Sequence, residues 1–153
     1  MRTSSAALAI VRQNVSLLLQ WNYSWDAYSL IGGHVEAGET FHKCCAREII
    51  EELECGDNQF RIDPEPLTTL RFREFSKAAG EETDYEWQIF KAELNDTLLK
   101  NLPKTCAWVT PAQIRSGFTE DGKPIAGQVK RVLEANEVFG QPIHVAASLR
   151  DAD

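Results

Sequence analysis

A chain of 153 residues is long enough for one domain with a real hydrophobic core and short for two. Its formal charge of −7 and pI near 5 exclude a general binder of nucleic acid or anionic membrane, because polyanions are repelled unless a cation or basic pocket intervenes. Cys44, Cys45, Cys55 and Cys106 have no zinc-type spacing, no signal-peptide pattern accompanies them, and no apolar run approaches the roughly 18 residues that span a bilayer. The expectation is a reduced, cytoplasmic, soluble protein whose thiols are structural.

In chain order, Ser4 to Arg12 and Val15 to Trp21 read as two apolar strands joined tightly at Gln13-Asn14, so a hairpin opens the domain. Asn22 to Asp26 is a polar, aromatic loop, and Ala27 to Ile31 a short strand delivering the chain into a loop at Gly32-Gly33. Paired glycines permit a close backbone approach that a side chain would block, although such a pair is often only a turn. Thr40 is the expected N-cap of a helix from Phe41 to Leu53, with Glu39 at its positive end and Gly56-Asp57-Asn58 breaking it. Leu67 to Ser76 and Asp84 to Leu94 form a long hairpin around a polar turn. A polar connection from Asn95 to Lys104 leads to a strand at Cys106 to Val109 and a short helix from Thr110-Pro111 through Ile114. After a loop from Ser116 to Pro124, Ile125 to Phe139 is a closing helix with Val129, Val132 and Leu133 inward. Residues 1–140 are read as a single domain and 141–153 as a tail.

On the helix from Phe41, the spacing places Ala46, Ile49, Ile50 and Leu53 on one apolar stripe. Glu48, Glu51 and Glu52 fall at i, i+3 and i+4 on another face, where their repulsion calls for a cation. Oxygen ligands so clustered suit a hard divalent ion, Mg²⁺ or Mn²⁺, completed by waters and substrate phosphates. A solvated, Glu-rich face with Arg47 paired to Glu51 is the plain alternative for the helix alone.

The wider pattern decides between them. Gly33, five residues, Glu39, seven residues, Arg47-Glu48-Ile49, one residue, Glu51-Glu52, then Cys55 after two more resembles the Nudix box. Two positions depart: Glu54 stands where the family usually has Gly, and Ile31 where many members have Pro. Gly56 is expected to take over the helix-terminating turn.

The resemblance implies an α/β/α sandwich with a mixed β-sheet between the box helix and a C-terminal helix. It implies metal-dependent hydrolysis of a diphosphate linkage in a nucleoside diphosphate joined to another group. Carried over, Glu48, Glu52 and the Gly32 carbonyl hold Mg²⁺ or Mn²⁺. Glu51 and Glu52 are the catalytic carboxylates, Arg47 orients Glu51 by a charge-assisted bond, and Gly33, Gly38 and Glu39, the last a supporting or helix-start carboxylate, complete the structural motif. The partner is a small nucleotide rather than a nucleic acid or membrane, met by a monomer or homodimer.

Arg71 and Arg73 share one strand face, to meet substrate phosphates or to form a solvated edge. Trp25 and Tyr28, with Tyr23, are candidates to stack a base, the alternative being closure of the core. The loop before Cys106 lacks the extra carboxylate that some members carry, leaving Glu81, Glu82, Asp84, Glu120 or Asp121 as substitutes. A non-catalytic nucleotide-binding sensor or interaction module is the second reading.

Overall fold

A computed structural model describes residues 1–135 of the chain. Its strands are β1 (Arg2–Ile10), β2 (Arg12–Gln13), β3 (Ser16–Asn22), β4 (Ala27–His34), β5 (Phe60–Ile62), β6 (Thr68–Ser76), β7 (Glu81–Leu94) and β8 (Cys106–Val109). Its helices are α1 (Phe41–Leu53), α2 (Asp96–Lys100), α3 (Pro111–Ser116) and α4 (Gly127–Leu133). The strands form a mixed sheet in the order β2-β3-β4-β1-β7-β5, with β6 also on β7 and β8 on β3. The β1–β7 ladder is parallel and the others are antiparallel.

Strand alternation divides the interior into two cores. Ala7, Ala9, Val11, Leu18, Ile31, Phe90 and Ala92 pack on one face against Cys44, Cys45, Ile49 and Leu53 of α1. Leu8, Ile10, Leu17, Leu19, Leu30 and Ile89 pack on the other against Ile114 of α3 and Val129, Val132 and Leu133 of α4. The result is the expected α/β/α sandwich.

The box helix has the bounds its sequence predicts, because its start is local chemistry: the Thr40 hydroxyl accepts from the Lys43 N–H at 3.0 Å. Its end differs from expectation. Glu54 itself adopts the left-handed conformation, φ 55° and ψ 53°, that stops the helix, while Gly56 stays extended. The buried stripe also differs, for Cys44 and Cys45 are fully enclosed whereas Ala46 and Ile50 are only half-buried.

The opening hairpin is smaller than expected. Only Arg12-Gln13 pairs with Leu17-Ser16, and β1 lies instead between β4 and β7. Gly32 and Gly33 belong to β4, which continues past Ile31 to His34 in register with Ala6–Ala9 of β1. A β-carbon on Gly32 would strike the Ala7 carbonyl oxygen and stand 2.8 Å from Leu8 Cα, so the close approach to β1 requires glycine. Helix α2 falls within the stretch read as a polar connection, and strand β5 within residues 59–66, to which the sequence reading assigns no element. Helix α4 runs Gly127–Leu133, shorter than expected: Ile125 instead bridges Tyr28, Ala126 is the N-cap, and Glu134 and Ala135 lie beyond its end, while 136–139 and the 141–153 tail lie outside the described residues.

Candidate active site

Two elements build the site: the end of β4, where glycines let a helix lie close to the sheet, and the carboxylate face of α1. A β-carbon on Gly33 would stand 2.5 Å from Glu48 Oε2 and 2.7 Å from its carboxyl carbon, so the Glu48 carboxylate lies directly over this glycine. One turn on, Glu52 Oε1 accepts the Gly32 N–H at 3.0 Å. Strand and helix are thus joined through the two positions that the sequence singles out.

Arg47 is the hub. Its guanidinium grips Glu39 with two bonds, Nε to Oε2 at 2.5 Å and Nη2 to Oε1 at 3.0 Å. It also donates to Glu48 Oε2 at 3.0 Å, Glu51 Oε1 at 3.3 Å and the His34 carbonyl at 3.1 Å. Glu39 additionally accepts the Glu36 N–H, and these bonds, Arg47's first, hold its carboxyl down at about 2. Of the two readings of Glu39, a supporting group or a helix-start carboxylate, these bonds favour the first, with Glu39 anchoring Arg47.

Burial acts in the opposite direction on the carboxylates beneath. It raises the Glu48 pKa, with Arg47 opposing the shift. Glu52 is pushed up to about 7, chiefly by desolvation, against the Gly32 N–H and reinforced by the charges of Glu48 and Glu51. Glu51 is the open member of the three, its side chain 58 % exposed.

Among the described residues no three His, Cys, Asp or Glu groups converge at ligating distance: Glu48 leans on Arg47, and Glu52 on the Gly32 amide. The donors nevertheless match a hard divalent cation, being carboxylate oxygens held beside a strand backbone, two of them disfavoured as bare anions by burial.

Glu52 also lines a depression of about 290 Å³ with Gln20, Trp21, Asn22, Tyr23, Ser24 and Ser29. Gln20, Asn22 and Ser29 were not anticipated from sequence. Their signal is the polar alternation of Gln20 and Asn22 after three leucines in β3, on the face that Leu18 turns to α1. Cys106 stands near enough for the Glu52 charge to add to burial in raising its thiol to about 11.

The residues expected to meet substrate are dispersed. Trp25 lies half-exposed in the β3–β4 turn, next in sequence to this depression's lining. Tyr28 is on the opposite sheet face, edge-to-face with Trp21 at 5.1 Å and packed with the α3–α4 core, so alternation carries it away from the carboxylates. Arg71 and Arg73 line a separate depression with Thr3 and Ser5, each paired across strands, to Glu86 at 3.0 Å and Asp84 at 2.7 Å. Gly38, in the turn before α1 with φ 84°, has open space around it.

The NUDIX domain model matches residues 1–131. No curated protein matches the chain. Similar solved structures include a NUDIX hydrolase from Nitrosomonas europaea, 20 % identical over 94 % of this chain and 95 % of that one, with TM-score 0.60. The E. coli ORF135 protein is 17 % identical over 100 % and 96 %, TM-score 0.56. A C. elegans Ap4A hydrolase is 18 % identical over 76 % and 86 %, TM-score 0.55. With the family pattern matched across most of its length and the box folded as one strand-helix unit, the chain belongs to the NUDIX family, hydrolases acting on phosphoanhydride bonds.

Proposed function

We propose that the protein hydrolyses a diphosphate linkage in a nucleoside diphosphate joined to another group, using Mg²⁺ or Mn²⁺ held by Glu48, Glu52 and the Gly32 carbonyl. The observation that carries this reading is the pair of half-buried carboxylates, Glu48 and Glu52, seated on the glycines of β4 with raised pKa values. Keeping them there without a cation costs stability, which a site built to bind one explains. A bound divalent ion supplies positive charge to hold phosphate oxygens, acidify the attacking water and offset charge on the leaving phosphate.

Arg47 keeps Glu48 and Glu51 turned to a common side and balances their charge until a cation takes that part, its grip on Glu39 keeping it in place. Glu51, the most open of the three, is the group best placed to receive the proton of the attacking water, with Glu52 the alternative where it does not hold the cation. The similar fold that bears the name Ap4A hydrolase supports a nucleotide as substrate. The test is release of phosphate or pyrophosphate from a panel of nucleotides with Mg²⁺ or Mn²⁺. Turnover of at least one member is expected, and failure across the panel by folded, metal-loaded protein would overturn the reading.

A further inference from the structure

The depression beside Glu52 has a chemistry of its own. Apart from Glu52, its lining is neutral, polar and aromatic, with no lysine or arginine to receive a phosphate. Two of its amides have their orientation fixed by backbone groups that cannot exchange roles. Gln20 Nε2 donates to the Glu52 carbonyl at 2.8 Å and to Thr105 Oγ1 at 2.9 Å. Turning the amide over would set oxygen against carbonyl oxygen, so the Gln20 side-chain oxygen is the group left to offer. Asn22 is fixed in the opposite sense: its Oδ1 accepts the Ser24 and Trp25 N–H groups at 2.9 and 3.1 Å, leaving the amino group to donate. Among the described residues that amino group meets Ser29 Oγ at a long 3.5 Å, and the Ser29 hydroxyl in turn donates to the Leu30 carbonyl at 3.4 Å, leaving its oxygen to accept.

Gln20 and Asn22 share a face of β3 at positions i and i+2, about 7 Å apart along the strand, and Ser29 is the register partner of Gln20. β3 thus presents a fixed acceptor and, two residues on, a fixed donor, with the Ser29 hydroxyl of β4 opposite the first. Tyr23, 76 % exposed, stands at the rim as an aromatic surface. A planar ring whose edge sets a donor beside an acceptor, and whose face can stack, fits such a set, and a nucleobase has that chemistry.

We infer that this depression is the subsite for the nucleobase of the substrate, read by Gln20, Ser29 and Asn22, with the diphosphate directed to the Glu48 and Glu51 side of the helix. The inference rests on the nucleotide reading above and adds where the base is held and by which groups.

The test compares wild type, Asn22→Asp and Ser29→Ala. Asn22→Asp keeps the Oδ1 bonds to the turn and replaces the donor by an anionic acceptor, while Ser29→Ala removes only the hydroxyl. Steady-state kinetics with a nucleoside triphosphate and with inorganic triphosphate, both with Mg²⁺, are paired with calorimetric binding of the nucleoside 5′-monophosphate without metal. Asn22→Asp is expected to raise the nucleotide KM and weaken monophosphate binding about tenfold, with kcat changed much less; Ser29→Ala should act in the same direction about threefold. Should Asn22→Asp fail to fold by circular dichroism, Ser29→Ala and a Gln20→Met variant decide. Wild-type preference for the nucleoside triphosphate over inorganic triphosphate, shrinking in the variants, supports the subsite. Normal nucleotide turnover with KM and monophosphate affinity unchanged in every folded variant overturns the subsite and leaves the hydrolase reading standing. No nucleotide turnover by wild type, with monophosphate binding present and weakened in the variants, does the reverse.

Discussion

Glu52 concentrates the tension between stability and chemistry at one side chain. Its folded pKa of about 7 lies above its ordinary 4.5, so the folded state binds its proton more tightly than the unfolded state does. The contribution is fully present below pH 4.5 and lost as pH rises through 7, reaching at most about 3 kcal/mol of destabilisation in metal-free protein. Glu52→Gln, shape-preserving and uncharged, should therefore be more stable than wild type at pH 8, with the advantage vanishing toward pH 4.5. Urea titrations of the metal-free proteins across that range measure it; equal stabilities at pH 8 would show that burial of Glu52 is not a cost. The same substitution should lower turnover on the order of a hundredfold or more under saturating Mg²⁺, since it removes a charged oxygen proposed to hold the cation. Gly33→Ala separates position from charge. Its new methyl would push the Glu48 carboxylate aside, a small demand on the fold because a side-chain end can yield, so turnover should fall about tenfold or more with little change in melting temperature. Arg73→Ala is the contrast: its ion pair with Asp84 is exposed, and its loss should shift stability by less than about 1 kcal/mol and leave turnover near wild type.

Among the elements, α1 shows both what local sequence specifies and where tertiary partners take over. Thr40 and the 3.6-residue periodicity marked its span because capping and amphipathicity are properties of adjacent residues. Gly32-Gly33 read as a loop because glycine signals a turn locally, whereas its use here is to let β4 and the helix approach β1 and Glu48, partners distant in sequence. Helix α2 and strand β5 escaped notice because such short elements depend on what they pack against, β5 pairing with the far end of β7. The carboxylates, Arg47 and the glycines of the box were legible. The sheet face occupied by Tyr28 was not, since strand parity has meaning only once the neighbouring strands are known. At the helix terminus, Glu54 bears the conformational strain that glycine would relieve. Glu54→Gly should raise stability by about 0.5–1 kcal/mol after allowing for the added freedom of the unfolded chain, with turnover retained. Loss of stability in a chemical melt would mean that the Glu54 side chain compensates for its backbone.

At the level of the whole molecule, the sheet holds two independent cores, and the site depends on one of them. Ile49, fully buried, clamps α1 to the face formed by Ala7, Ala9, Leu18 and Ile31. Ile49→Ala should cost about 2–5 kcal/mol through lost burial and the cavity left behind, read as a lower denaturation midpoint. Turnover measured well below that midpoint should fall as well, because the residue anchors the helix between the Glu48 and Glu52 turns. Val129→Ala, a slightly smaller truncation on the α4 side, should also reduce stability but with a weaker effect on turnover.

Cys44 and Cys45 sit at the centre of that clamp with no exposed surface, their thiols pushed up to about 11 and 12 mainly by burial. Almost none of either exists as thiolate at neutral pH, and no reagent reaches them while α1 lies on the sheet. The helix therefore carries its own clock. In a large excess of a thiol-specific label, Cys55 should react first, and Cys45 only as often as the helix lifts from the strands, so the slow phase of labelling reports the frequency of that opening without an added probe. A divalent cation that binds the folded site should slow this phase in proportion to its occupancy. The core that supports the chemistry thereby offers a way to measure how firmly the metal holds the site closed.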